Sequence, residues 1–122
     1  MKEDVRHVRG QRGEELAAEH FVRLGFEILA RNYRTRYGEL DLVAYDGETI
    51  AFIEVKTRRE GSGDPWDNLH ELKRSQVRRM AIAWLTDSND RPFGADMRFD
   101  AVGIVLDAAG ELVRLEHLEA AF

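Results

Sequence analysis

The stretch "GELDLVAYDGETIAFIEVK", residues 38–56, carries two apolar runs on either side of Asp46-Gly47. Aspartate followed by glycine between alternating apolar residues is a strong signal for a β-hairpin. Leu40, Leu42, Val43, Ile50, Phe52, Ile53 and Val55 belong in a core, yet Glu39, Asp41, Glu54 and Lys56 stand among them at intervals of two. Strand side chains alternate between faces, so Glu39 and Asp41 share one face, as do Glu54 and Lys56. With Asp46-Gly47 as a two-residue turn, partners have numbers summing to 93. Glu39 then lies opposite Glu54, with Asp41 diagonal to it, within the roughly 5–8 Å typical of cross-strand neighbours. A three-residue loop would put Asp41 and Glu54 on opposite faces.

Carboxylates this close repel one another unless positive charge lies between them. Lys56 offsets one of them, and a hard divalent cation, Mg²⁺ or Mn²⁺, would take the remainder. Such an ion activates water and stabilises developing phosphate charge, and a lysine beside it positions or deprotonates the nucleophile. The pattern fits phosphodiester hydrolysis. The plain alternative is a solvated edge hairpin whose charges form surface pairs.

The chain has 122 residues, 43% of them hydrophobic, which suits one domain spanning 1–122. With no cysteine there is neither a disulfide framework nor a thiolate metal site. The opening "MKEDVRHVRGQRG" lacks the apolar run of a signal peptide, and no stretch reaches bilayer-spanning length. These features lead us to expect a cytoplasmic protein with no membrane partner. The net charge of -5 argues mildly against non-specific binding to nucleic acid. Its distribution is uneven: residues 1–36 hold eight Lys/Arg against six Asp/Glu, 56–79 hold seven against four, and 80–122 hold three against eight. A phosphate-facing surface would come from the first two segments; scattered solvated charge explains them equally well.

Working outward, Leu16, Ala17, Phe21 and Leu24 recur at helical spacing from about Gly13 to Leu24, and Gly25 follows as a cap. "FEILARNY" alternates like a strand, and "TRREGSGDPW" is a loop. From about Asn68 to Thr86 a second helix puts Val77, Met80, Ala81 and Trp84 on one stripe. "MRFDAVGIVL" is a strand, and "AAGELVRLEHL" a turn with a short strand or helix. The order α-β-β-β-α-β, with room for one more strand, predicts an α/β fold with a mixed central sheet flanked by helices.

"RNYRTRYGELDLVAYDGETIAFIEVKTR" resembles the core of the YraN-type family of small bacterial proteins. "GQRGEELA" is similar to that family's G-x-x-G-E-x-x-A opening, and Asn32 and Arg34 to its N-x-R. "GELDL", "FIEVKTR", Lys73 in a helix and "RFD" at 98–100 extend the likeness, while "HLEAAF" departs from H-x-x-N-A-F, with Ala120 in place of asparagine. The family in turn resembles the PD-(D/E)XK nucleases and, among them, archaeal Holliday-junction resolvases. The resemblance implies a restriction-endonuclease-like core and metal-dependent cleavage of DNA, perhaps branched or recombining. It also implies a homodimer, since symmetric cuts need two sites. Asp41 would be the first motif aspartate and Glu54-Val55-Lys56 the E-x-K, although the proline of "PD" is absent.

On that basis Asp41, Glu54 and the Val55 carbonyl are expected to hold Mg²⁺ or Mn²⁺, with Lys56 orienting or activating water. Glu39 and Glu14 would assist; Glu14 is equally explained as a first-turn carboxylate favoured by the helix dipole. Arg34, Arg58 and Lys73 are the expected phosphate contacts, although Lys73 also fits a side chain snorkelling from the core. Arg98 and Asp100 suit a structural ion pair. His7, His20, His70 and His117 show no ligand spacing, so no histidine site is expected. Trp66 and Tyr37 are expected to cover the core's edge rather than stack on bases. The competing expectations are a non-catalytic nucleic-acid-binding module in a DNA repair, recombination or uptake complex, and a structural partner protein.

Overall fold

The computed structural model describes residues 2–67, 74–88 and 91–122. Helix α1 (Lys2–Arg23) leads into strands β1 (Glu27–Thr35), β2 (Gly38–Tyr45) and β3 (Thr49–Arg59). Helix α2 (Arg74–Asp87) precedes β4 (Asp96–Leu106) and β5 (Leu112–Leu118). One mixed sheet holds the strands in the order β1-β2-β3-β4-β5. Only β3 and β4 run parallel, along an unbroken register from Thr49↔Asp96 to Arg59↔Leu106, and the chain between them passes through α2. The final segment, open between strand and helix from sequence, is the edge strand β5. Among the described residues no helix is long and apolar enough to cross a membrane.

Two apolar clusters cover the two faces of the sheet. On one, Leu16, Ala17, Ala18 and Phe21 of α1 pack on Leu42, Ala44, Ala51, Ile53, Val102, Ile104 and Leu106. On the other, Val77, Met80, Ala81 and Trp84 of α2 pack on Leu40, Val43, Ile50 and Phe52. Each large side chain buried this way contributes about 1.5–3 kcal/mol of transfer free energy. The end of α1 is fixed by local chemistry. Gly25 N–H bonds to Val22 O at 3.0 Å and Phe26 N–H to Phe21 O at 2.9 Å, with the Phe21 and Phe26 rings edge to face at 5.2 Å. Together these make a Schellman cap with its apolar contact. At its other end α1 begins at Lys2, well before the Gly13 suggested by apolar spacing. That first half is polar, so periodicity alone could not reveal it.

The hairpin register differs from the expected one. Its pairs, Leu42↔Ile53 to Tyr45↔Ile50, sum to 95 rather than 93. Asp46 is not a central turn residue: its Oδ1 accepts the N–H groups of Glu48 (2.9 Å) and Thr49 (2.8 Å). Those bonds hold its carboxyl below the usual range. Gly47, at φ 100°, and Glu48 therefore make the turn. A slip of two preserves facing, so the displacement leaves each side chain on its intended side.

The C-terminal turn puts Ala120 at φ 52°, a left-handed conformation that costs alanine about 1 kcal/mol and asparagine less. Ala120→Asn is expected to raise stability by about 0.5 kcal/mol in urea unfolding. A loss would mean that the turn depends on alanine for packing.

Candidate active site

Asp41 and Glu54 stand one step beyond Leu42 and Ile53, where the β2–β3 ladder ends. Asp41 Oδ2 accepts the Val55 N–H at 2.7 Å, taking the place of a carbonyl from the neighbouring strand. On its other side Asp41 lies opposite Asn32, since the flanking pairs are Arg31↔Leu42 and Tyr33↔Leu40. Asn32 has φ 51°, and the pairing lapses at that position. The kink turns neighbouring residues to opposite faces: Leu40 packs with the α2 cluster and Leu42 with the α1 cluster. Asparagine is among the few residues that tolerate this conformation. The hairpin opens where the carboxylates begin.

Helix α1 supplies the next group. Gly13 is buried against Thr57, the residue after Lys56, and a Cβ there would overlap the Thr57 side chain. Glycine thus lets the helix approach the end of β3 and brings Glu14 to the opening. Oxygens of Glu14, Glu39 and Asp41 all lie within 4.8 Å of one another. Lys56 Nζ lies 3.2 Å from Glu54 Oε1, and Arg34 Nε 3.5 Å from Glu39 Oε2.

The electrostatic consequence is large at Asp41. Burial, and then the charges of Glu54, Glu14 and Glu39, push its carboxyl up to about 8, against the Val55 N–H bond. Burial also raises Glu54, while Lys56 and a hydrogen bond with Asp41 pull the other way. Asp41 thus keeps its proton at neutral pH and Glu54 accepts it. A cation would take that proton's place.

A cleft of about 570 Å³ adjoins these groups, bounded by Arg9, Gly10, Glu14, Val55, Lys56, Thr57, Arg58 and Ser62. Arg9 also lines a second cleft of about 530 Å³ with Arg12 and Arg59. Arg58 borders the first, where its Nη1 donates to Thr57 O at 3.0 Å. Arg34 lies on the exposed side of Glu39. Lys73 falls outside the described residues. Of the expected site residues, then, Glu14, Glu39, Asp41, Glu54, Val55 and Lys56 meet at one opening, with Arg34 and Arg58 on its margins.

The aromatic residues are engaged elsewhere. Trp66 lies against Gly103 and its Nε1 donates to Glu116 Oε2 at 3.2 Å. The guanidinium carbons of Arg36 and Arg79 lie 5.3 and 5.5 Å from the Tyr37 ring centre.

Sequence reasoning missed a chain of polar groups. His20 Nε2 meets His117 Nδ1 at 3.0 Å, and His117 Nε2 meets Asp100 Oδ2 at 2.8 Å. Arg98 grips Asp100 with Nε and Nη2, both at 2.8 Å. Arg98 and Asp100 were expected to pair, but nothing in sequence spacing links His20 to His117. The only signal was "RFD" and "HLEAAF", which converge here.

The model for "Uncharacterised protein family UPF0102" matches residues 13–104, from the glycine of the helix–strand contact into β4. The chain belongs to the UPF0102 family. Among similar proteins, the UPF0102 protein of Nocardia farcinica is 46% identical, the match covering 93% of this chain and 87% of the relative. That of Acidothermus cellulolyticus is 43% identical, covering 97% and 96%. That of Geobacter sulfurreducens is 42% identical, covering 94% and 88%. UPF0102 is the YraN-type family whose motifs were noted above, so that resemblance extends over nearly the whole chain.

Proposed function

We propose that this UPF0102 protein is a Mg²⁺- or Mn²⁺-dependent phosphodiesterase acting on DNA, built on a restriction-endonuclease-like core. The observation that carries this reading is the Asp41 carboxyl, held protonated up to about 8 among Glu54, Glu14 and Glu39. Perturbation of this size at a cleft is characteristic of functional sites. The donor set suits a hard cation: carboxylate oxygens of Glu14, Glu39 and Asp41 within 4.8 Å of one another, with Glu54 and the Val55 carbonyl as further ligands. A bound divalent ion supplies Lewis acidity toward a phosphodiester oxygen and toward water.

The chain's own groups do the remaining work. Lys56, held by Glu54, hydrogen-bonds the attacking water and orients it. Glu39, paired with Arg34, keeps its carboxylate at the opening. Arg58 and Arg34 hold backbone phosphates on either side. The wall of Val55 and Thr57 limits access by bulk water.

The test is a cleavage panel of single-stranded, duplex, flap and four-way DNA with Mg²⁺ or Mn²⁺. We expect cleavage of at least one substrate, lowered about 100-fold or more in Lys56→Ala. No Mn²⁺ binding together with no cleavage would overturn the reading. A second reading, a non-catalytic nucleic-acid-binding module, is favoured by the Arg9, Arg12 and Arg59 cleft, which is cationic and lacks the carboxylate cluster. It requires DNA binding that is independent of divalent ions.

A further inference from the structure

Strand β5 forms one edge of the sheet and presents a row of backbone groups that no strand pairs. Exposed strand edges recruit other strands unless something blunts them. Neither proline nor a bulge interrupts Leu112–Leu118 on its outer side, and Leu112, Val113 and Leu118 are 42%, 47% and 39% exposed. The sequence of the strand, Leu-Val-Arg-Leu-Glu-His-Leu, has the pattern of a charge-reversing palindrome about Leu115.

We propose that β5 pairs antiparallel with β5 of a second copy, about a two-fold axis at Leu115, joining two five-stranded sheets. In that register Leu112 faces Leu118 of the second copy, and Arg114 faces Glu116 of the second copy, each contact occurring twice, as isologous pairing demands. Opposite charges directly across an antiparallel pair stabilise it and like charges destabilise it. The charges also exclude the neighbouring registers. A two-residue slip one way sets Arg114 against its own copy; a slip the other way sets Glu116 against its own copy. A one-residue slip inverts the faces, and parallel in-register pairing puts like on like throughout. Glu116 is held in place by Arg114 Nε at 2.9 Å on its own strand and by the Trp66 N–H, so the acidic group is positioned before association. His117 does not compete, because its ring is turned inward to Asp100.

One strand pair buries less than the standard interface of about 1,600 Å², so the expected Kd is micromolar, about 1–100 μM. Sedimentation equilibrium from about 1 to 500 μM tests this range. The wild type should pass from monomer to dimer. Arg114→Glu and Glu116→Arg should each weaken the dimer about tenfold or more, since each creates like charges across the axis. The double variant Arg114→Glu/Glu116→Arg should restore it to within about threefold of wild type. Amide exchange along β5 should slow with concentration, and circular dichroism checks that each variant is folded. A wild type that stays monomeric at the top concentration, or a dimer untouched by either single change, overturns the proposal.

Discussion

Asp100→Ala is expected to lower stability by about 3–5 kcal/mol, the cost of stranding buried partners of a lost charge. Asp100 is wholly buried on β4. Its carboxylate accepts four hydrogen bonds: Nε and Nη2 of Arg98 at 2.8 Å each, Nε2 of His117 at 2.8 Å and the Ala120 N–H at 3.1 Å. Burial alone would raise its pKa, but the bonds from His117, Arg98 and Ala120 overcome it and hold the carboxyl below the usual range. These bonds tie α1, through His20, to β5, β4 and the C-terminal turn. With His117 Nε2–H donating to Asp100, its Nδ1 is left to accept from His20 Nε2. Burial and the neighbouring His117 lower the pKa of His20, which keeps that ring neutral and the chain intact.

The pH dependence has a definite sign. A carboxyl with a depressed folded pKa contributes stability above its unfolded value, near 3.9, and loses it as pH falls further. The gap between wild type and Asp100→Ala in urea unfolding should therefore be widest at neutral pH and narrow below about pH 4. A gap under about 1 kcal/mol at pH 7 would show that the network contributes little.

The two buried carboxylates were unequally legible in the sequence. Asp41 and Glu54 could be brought together from strand alternation alone, because alternation has period two and survives an error of two in register. The error itself came from giving Asp46-Gly47 the centre of the turn, when the Asp46 side chain caps the turn from outside. It placed Asp41 diagonal to Glu54, where the structure sets it directly across. Asn32 could not have been found this way: its left-handed backbone lies inside an otherwise regular strand. Gly13 was legible only through a motif, since its partner Thr57 is a distant residue on another element. The His20–His117 contact spans 97 positions, and no local period encodes such a distance.

Asp41→Asn should move stability in the opposite direction from Asp100→Ala, while abolishing metal binding. In the metal-free protein the Asp41 carboxyl holds its proton up to about pH 8, whereas the unfolded chain releases it near 3.9. Between those values the folded state binds more protons, so stability falls as pH rises from about 4 to about 8. Asparagine has no proton to lose, and its Oδ1 can still accept the Val55 N–H. In EDTA at pH 8 the variant is expected to be more stable by about 1–2 kcal/mol, a gain of roughly 5 °C or more in Tm, with the difference vanishing near pH 4. Adding Mn²⁺ should reverse the order, because a ligand that binds only the folded wild type stabilises it by mass action. DNA cleavage should drop about 100-fold or more in the same variant. A variant that is less stable than wild type at pH 8 without metal would mean that Asp41 serves as a structural anchor for Val55. Stability gained where a carboxylate is removed, and cleavage lost with it, is the signature of charge concentrated for binding at the expense of the fold.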